Sequence, residues 1–381
     1  VDPGRILGSK AIQSSLDGRE TEVVDWFART LPDASDIHLL GFSKPPAGSG
    51  FSAENHFVEL SWSEGRVHRR AKFVLRRMPA QLPMFPGRDF AAEWAVQRLV
   101  AELGAAPVPR IIGHEDDPAV LGSRFYVMSF VEGRTPDTNP SHHQGGWLYE
   151  ADAGFRNALW LNALQSLGAF HRATHGRHEI ERFAKDIDGR SEFTHLLDYW
   201  SGHYALGCAG KPLSLMSELE CWLRENEPPE NRRAICWGDA RIGNMLFDDA
   251  GLPAAFVDWE LFSLGDPIRD LAYWLYSDDH FVYANGKAVS GWPSTEASIA
   301  AYERGAGVPV DRRTLAFYRI FQGYHIVSTL TRLVQIRKAL GQLPADLEVG
   351  EDFTPVSYLR DQWARLLSAG QDTAETWEKS A

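Results

Sequence analysis

The chain has 381 residues, 44% hydrophobic and 24% charged, the composition of a globular protein large enough for two lobes. Its net charge of −12 argues against a nucleic-acid surface, which needs a basic face, and suits simple solubility or a cationic small molecule. No apolar run approaches the roughly 18 residues that span a bilayer, and Val1-Asp2-Pro3-Gly4 lacks a signal-peptide pattern. Cys208, Cys221 and Cys236 form no C-x-x-C pair, so a reduced, cytoplasmic setting is expected.

In chain order, residues 1–20 read as a loose arm. Val23, Trp26 and Phe27 share one face of a helix over Glu22–Thr30, which Pro32 stops. Strands are expected at Leu39–Phe42, Ala53–Trp62 and Arg70–Arg77. Between the first two lies a glycine-containing turn, Ala47-Gly48-Ser49-Gly50-Phe51-Ser52-Ala53, whose backbone N–H groups could receive phosphate oxygens. A helix follows over Phe90–Leu103 with Asp89 as N-cap. Strands at Pro107–Ile112 and Phe125–Phe130 lead to a hinge at Glu132–Pro136.

Beyond the hinge the pattern becomes helical: Ala158–Arg172, Thr194–His203, Leu213–Arg224, Asp266–Tyr276, Ser294–Arg304, Arg312–Ala339 and Tyr358–Ala369. The expected organisation is an arm and helix (1–34), a strand-rich N-lobe (35–133) and a helical C-lobe (134–381). This is an α+β, bilobal fold with its site between the lobes.

The chemistry concentrates in C-W-G-D-A-R-I-G-N-M-L-F-D-D-A-G-L-P-A-A-F-V-D-W, residues 236–259. Carboxylates beside such apolar runs are costly unless paired or metal-bound. Asn244–Phe247 and Ala254–Trp259 read as a hairpin. If it folds symmetrically about Gly251, Asn244 lies opposite Asp258, with Cβ atoms about 5 Å apart. An amide oxygen and a carboxylate at that distance can share Mg²⁺. Asp239, just upstream after the flexible Gly238, is placed to orient an attacking hydroxyl without binding the metal. In Leu264-Gly265-Asp266-Pro267-Ile268-Arg269-Asp270, Asp266 is the expected N-cap, Pro267 the first helical residue, and Asp270 a carboxylate bracing the site.

These three stretches, W-G-D-A-R-I-G-N-M-L-F, V-D-W-E and L-G-D-P-I-R-D-L-A, resemble the aminoglycoside phosphotransferase family. They are closest to the branch related to the kinase-like domain of certain acyl-CoA dehydrogenase family members. The resemblance implies a protein-kinase-like fold and transfer of the γ-phosphoryl group of ATP to a small-molecule hydroxyl. Asp239 would be the catalytic aspartate, Asn244 and Asp258 the Mg²⁺ ligands, and Asp266 and Asp270 supporting carboxylates. It further implies a phosphate-covering turn at Gly48–Ser52, an Arg76–Glu93 ion pair, Met128 at the back of the nucleotide pocket, and adenine contacts from the backbone of Ser129, Phe130 and Val131. The chain departs from the family in two places. Arg76 stands where lysine is usual, and Trp237 replaces the histidine of His-Gly-Asp, which puts the placement of Asp239 at issue.

Glu260, Asp278 and Asp279 fall toward the expected acceptor side and would attract an aminoglycoside or other amine-bearing acceptor; solvated carboxylates are the plainer reading. A nucleotide-binding pseudo-kinase and a metal-dependent hydrolase are the alternatives. His171, His175 and His178 are too few for a zinc site without further ligands. His142-His143 sits in a polar stretch and is expected to be exposed.

Overall fold

The computed structural model describes residues 16, 18–44, 54–78, 83–185 and 187–378. Helix α1 (Glu20–Thr30) precedes a five-stranded antiparallel sheet. Its strands are β1 (Ala34–Ser43), β2 (Glu54–Glu64), β3 (Val67–Arg77), β4 (Ile111–Glu115) and β5 (Phe125–Ser129). Their spatial order is β1-β2-β3-β5-β4, with helix α2 (Phe90–Glu102) and the short α3 (Pro118–Leu121) inserted between strands. Alternation sorts β3: Phe73 and Leu75 join Trp26, Phe27, Val58 and Leu60 in one core under α1, while Arg76 lies on the opposite face. Arg77, one residue on, pairs with Glu54, and its Nη1 donates to the Leu121 carbonyl at 2.8 Å.

Strand β4 begins four residues later than expected. Pro107 and Pro109 interrupt the early part of that segment, where prolines cannot donate to a ladder, and Pro109 gives its carbonyl to Gln97 Nε2 at 2.6 Å instead. Helix α2 begins where the sequence places it, with Asp89 accepting from the Ala91 N–H.

The remainder is mainly helical: α4 (Gly146–Glu150), α5 (Ala153–Thr174), α6 (Glu192–Cys208), α7 (Ser214–Glu225), α8 (Ile268–Asn285), α9 (Thr295–Ala306), α10 (Arg312–Ala339) and α11 (Thr354–Glu378). Between α7 and α8 run four short strands, β6 (Ala234–Cys236), β7 (Met245–Phe247), β8 (Pro253–Phe256) and β9 (Ser263–Gly265). They form two ribbons, β6–β9 and β7–β8. Helices α5 and α9 approach so closely that a Cβ at Gly168 would sit 2.2 Å from the Tyr302 carbonyl oxygen, and one at Gly305 would sit 1.9 Å from that of Gln165. A second, larger core joins these helices to Val96, Leu99 and Val100 of α2, so α2 bridges the sheet and the helical part. The two ribbons that carry the site are thus packed into the larger core. No helix among the described residues is long and apolar enough to cross a membrane.

Candidate active site

Asp239 leaves β6 through Gly238, whose φ is +91° and where an added Cβ would sit 2.0 Å from the Leu261 carbonyl oxygen, so no side chain is admitted. Asn244 closes a 3₁₀ turn, Ile242–Asn244, rather than starting a strand. Its Nδ2 donates to both the carbonyl oxygen (3.0 Å) and Oδ2 (2.7 Å) of Asp239, which leaves its amide oxygen free of those bonds. Arg241 Nε lies 3.2 Å from each Asp239 carboxylate oxygen, and the Tyr273 hydroxyl of α8 adds a further hydrogen bond. Burial by itself would raise the Asp239 pKa. Arg241, Tyr273 and Asn244 outweigh it and hold the group below the usual carboxylate range, so it is ionised at neutral pH.

The hairpin departs from the expected symmetry. Met245 pairs with Phe256 and Leu246 with Ala255, but Phe247 pairs with Pro253, so Ala254 is an extra residue in the ladder. The turn closes around Ala250 rather than Gly251, with the Asp248 N–H on the Leu252 carbonyl, which alone would set Asn244 opposite Phe256; the bulge recovers one of the two residues. Asn244 therefore faces Val257, whose N–H donates to its carbonyl at 3.0 Å, and not Asp258. Asp258 lies just outside the strand with φ +64°, a left-handed conformation unusual for a non-glycine residue. The turn re-aims its carboxylate toward the sheet, where Oδ1 meets Arg76 Nη2 at 2.8 Å.

Arg76 is the junction of the cleft. Nε lies 2.6 Å from Glu93 Oε1 of α2, and Nη2 reaches Asp258 and, at 3.3 Å, Glu260 Oε2. Burial opposes its charge, but Glu93 and Asp258 outweigh that and raise its pKa, so the guanidinium stays charged. The Tyr126 hydroxyl donates to the same Glu93 oxygen at 2.9 Å. Met128 is buried, two residues along β5 from Tyr126 and therefore on the same sheet face. The N–H groups of Ser129 and Phe130 are taken by the carbonyls of Arg110 and Lys72. Residues 48–52 lie outside the described residues.

Asp270 is almost fully buried and accepts three hydrogen bonds: from the Trp237 N–H (2.5 Å), the Gly238 N–H (3.0 Å) and His171 Nε2 (2.9 Å). It thereby fixes the backbone just before Asp239. Asp266 Oδ1 accepts from the Ile268 N–H at 2.9 Å, capping α8 from one residue further upstream than expected. Trp237 packs on Phe256 with ring centroids 4.8 Å apart, and its indole N–H donates to the Val257 carbonyl at 3.0 Å. Where the family's histidine is absent, Trp237 thus ties the residue before Gly238 to the hairpin.

The three residues expected on the acceptor side are all engaged internally. Glu260 meets Arg76, and Asp279 Oδ2 meets Arg319 at 2.6 Å. Asp278 is buried and accepts from His142, His143 and Trp292. His142 and His143, expected to be exposed, are only 2% and 4% exposed; the buried carboxylate of Asp278 draws their loop inward. His171 is buried, whereas His175 and His178 are exposed. A narrow cavity opens beside Arg241, bounded by Thr138, His142, Trp274, Ser277 and Asp278. Sequence reasoning passed over Arg241 and Tyr273. The first was signalled only by its place two residues after Asp239, and the second by nothing local.

The sequence profile of the phosphotransferase enzyme family matches residues 45–318. The chain belongs to that family. It is 28% identical over 321 residues to acyl-CoA dehydrogenase family member 11 of Gallus gallus, a match covering 81% of this chain and 39% of the relative, so the chain corresponds to well under half of that protein. Among solved structures it is similar in fold to a Ralstonia eutropha JMP134 protein provisionally named an aminoglycoside phosphotransferase, with TM-score 0.62 and 20% identity over 90% of this chain and 95% of the other. It is also similar to amicoumacin kinase hAmiN in complex with AMP-PNP and Ca²⁺, with TM-score 0.54 and 10% identity over 91% and 94% of the two chains. The protein-kinase-like α+β fold follows from these, and the matched family is one of phosphotransferase enzymes.

Proposed function

We propose that this phosphotransferase moves the γ-phosphoryl group of ATP to a hydroxyl of a small molecule, with Asp239 as the catalytic aspartate. The observation that carries the reading is the pairing of an ionised, doubly anchored Asp239 with an oxygen-rich, acid-rich cleft. Glu93, Asp239, Asp258 and Glu260 supply four carboxylates against the guanidinium groups of Arg76 and Arg241. An excess of negative charge at hard oxygen ligands suits a divalent cation and repels a bare triphosphate. Asn244 and Asp258 would hold Mg²⁺, which when bound offsets phosphate charge.

The chain's own residues do the rest. Asp239 aligns the acceptor hydroxyl and takes its proton late, a role a weak base can fill because phosphoryl transfer needs little prior deprotonation. Asn244 fixes the carboxylate's rotamer. Arg76, positioned by Glu93, orients phosphate oxygens. Met128 backs the adenine. With the Ser129 and Phe130 N–H groups already spent, the adenine edge falls to Val131 N–H and the carbonyls of that segment. The acceptor enters beside Arg241. Because Glu260, Asp278 and Asp279 are paired, an aminoglycoside or other amine gains little from them, and the acceptor class is a small alcohol whose charge these residues do not select. The unpaired cysteines fit a reducing, cytoplasmic setting.

The test is Asp239→Asn assayed against an acceptor panel with Mg-ATP. Transfer is expected to fall on the order of 10²–10⁴-fold, with ATP binding measured by calorimetry retained. Unchanged turnover would remove Asp239 from the mechanism. Nucleotide binding without turnover in the unaltered protein would favour the pseudo-kinase alternative.

A further inference from the structure

Away from the nucleotide side, three potential ligands converge: His142, His143 and Asp278, all buried, with one donor atom from each within 4.8 Å of the others. His142 Nε2 lies 2.8 Å and His143 Nε2 3.1 Å from the same oxygen, Asp278 Oδ1. We propose that these three side chains form a binding site for a zinc-class divalent ion, separate from the Asn244–Asp258 pair.

Geometry comes first. A tetrahedral ion with bonds of about 2.0–2.1 Å holds its ligands about 3.3 Å apart. The imidazole nitrogens need to withdraw from Oδ1 by only a few tenths of an ångström to admit one. The second carboxylate oxygen is already fixed by Trp292 Nε1 at 2.9 Å, the kind of outer hydrogen bond that orients a metal-bound carboxylate. The imidazoles are pinned as well: His142 stacks against Trp292 at 5.1 Å between ring centroids, and the two histidine rings are 4.4 Å apart. His142 and Asp278 also border the cavity beside Arg241, which leaves room for a water or other fourth ligand, as in open three-ligand zinc sites.

Electrostatics points the same way. Asp278 is 6% exposed among Trp160, Trp274, Trp292 and Phe281, and the neighbouring cation, Arg319, is paired with Asp279. Two imidazole donors and one indole donor satisfy its hydrogen bonds but bring no formal charge when neutral. A divalent ion in place of the two Nε2 protons supplies the missing charge. Two nitrogens and one oxygen favour zinc, cobalt or a similar ion over Mg²⁺ or Ca²⁺, which prefer all-oxygen shells. One contact works against binding. The Val289 N–H approaches His143 Nδ1 at 3.3 Å, and metal on Nε2 moves the ring proton to Nδ1. At that length the lost bond is weak.

The test uses the full chain without nucleotide. After chelator treatment, Zn²⁺ or Co²⁺ is added, the excess dialysed away, and bound metal measured by mass spectrometry. Stoichiometric retention is expected, with the visible spectrum of four-coordinate Co²⁺. His142→Gln with His143→Gln keeps amide donors toward Asp278 while removing the imidazoles; it should lose at least tenfold in affinity. Equal retention by the unaltered and double-variant proteins would overturn the site. X-ray absorption on the Zn²⁺-loaded unaltered chain needs no variant to fold: two imidazoles in the first shell are expected, and none or one would overturn it equally. Asp239→Asn should not alter metal retention, so this outcome and that of the transfer assay are independent.

Discussion

Asp239 takes bonds from residues two and five positions along the chain, whereas Arg76 is tied to Asp258 and Glu260 across 182 and 184 positions. The two ends of the cleft are therefore built by different means. The catalytic end is a local fold, a turn closed by Asn244 and clamped from behind by Asp270. The phosphate end is an assembly in which one guanidinium ties α2, β3 and the segment after β8. A local device should fail by unfolding of its support, and an assembled one by loss of alignment between parts that each remain folded.

The largest effect should come from the support. Asp270→Ala strips the acceptor from the buried Trp237 N–H and His171 and from the half-buried Gly238 N–H. Orphaned buried donors cost roughly 1–3 kcal/mol each, so about 3–5 kcal/mol of stability should disappear in urea denaturation. A loss below about 1 kcal/mol would mean that the turn holds itself.

That contrast also separates what could be read in the sequence. Asp239, Asn244, Asp258, Asp266 and Asp270 stand in short motifs, and their identities were legible because local spacing carries them. The register of the hairpin was not. It depends on where the turn closes and on the extra Ala254, and a one-residue slip leaves no trace in the alternation of so short a ribbon. Helix α10 matches its expected bounds because apolar spacing runs through all of it. Helix α8 runs on to Asn285, past the expected Tyr276: Asp278 and Asp279 are turned inward and hydrogen-bonded by histidines and an arginine distant in sequence. The inward turn of His142 and His143 was hidden for the same reason.

Behind the catalytic end lies a second test. His325 packs on Trp200 at 3.7 Å and on Tyr273 at 5.3 Å, and Tyr273 bonds Asp239. Burial pushes the pKa of His325 down to about 3 and that of His203 down to about 4. The folded state thus holds both imidazoles neutral while the unfolded chain protonates near 6.5. Stability is full above that value and falls as pH drops toward the folded values, by about 1.4 kcal/mol per pH unit for each histidine. At pH 5 the two together should cost a few kcal/mol. Removing one by His203→Phe should flatten the slope of unfolding free energy between pH 6.5 and 5; an unchanged slope would show that His203 does not carry it.

At the assembled end, Arg76→Lys asks whether three carboxylates need a fork. A lysine can meet Glu93 but lacks the second nitrogen that now reaches Asp258 and Glu260. The chain should stay folded but lose about 1–3 kcal/mol of stability, because Lys retains the Glu93 pair while the partly buried Asp258 and Glu260 lose theirs. The KM for Mg-ATP should rise about tenfold, equivalent to about 1.4 kcal/mol. A drop in stability without a change in KM would reverse the contrast and make Arg76 a structural brace.

The smallest effect tests the point where the two ends meet. Trp237 precedes Gly238 and Asp239, yet its indole N–H holds the Val257 carbonyl, next to the left-handed Asp258. Trp237→Phe keeps much of the stacking on Phe256 but leaves that carbonyl without its donor. One buried hydrogen bond contributes about 1 kcal/mol, so the melting temperature should fall by a few degrees. The decisive measurement is the Mg²⁺ dependence of transfer. If the bond steers Asp258, the Mg²⁺ requirement should rise while the affinity for a metal-free nucleotide stays constant. If both shift together, Trp237 supports the turn as a whole, and the local and assembled ends are one mechanical unit.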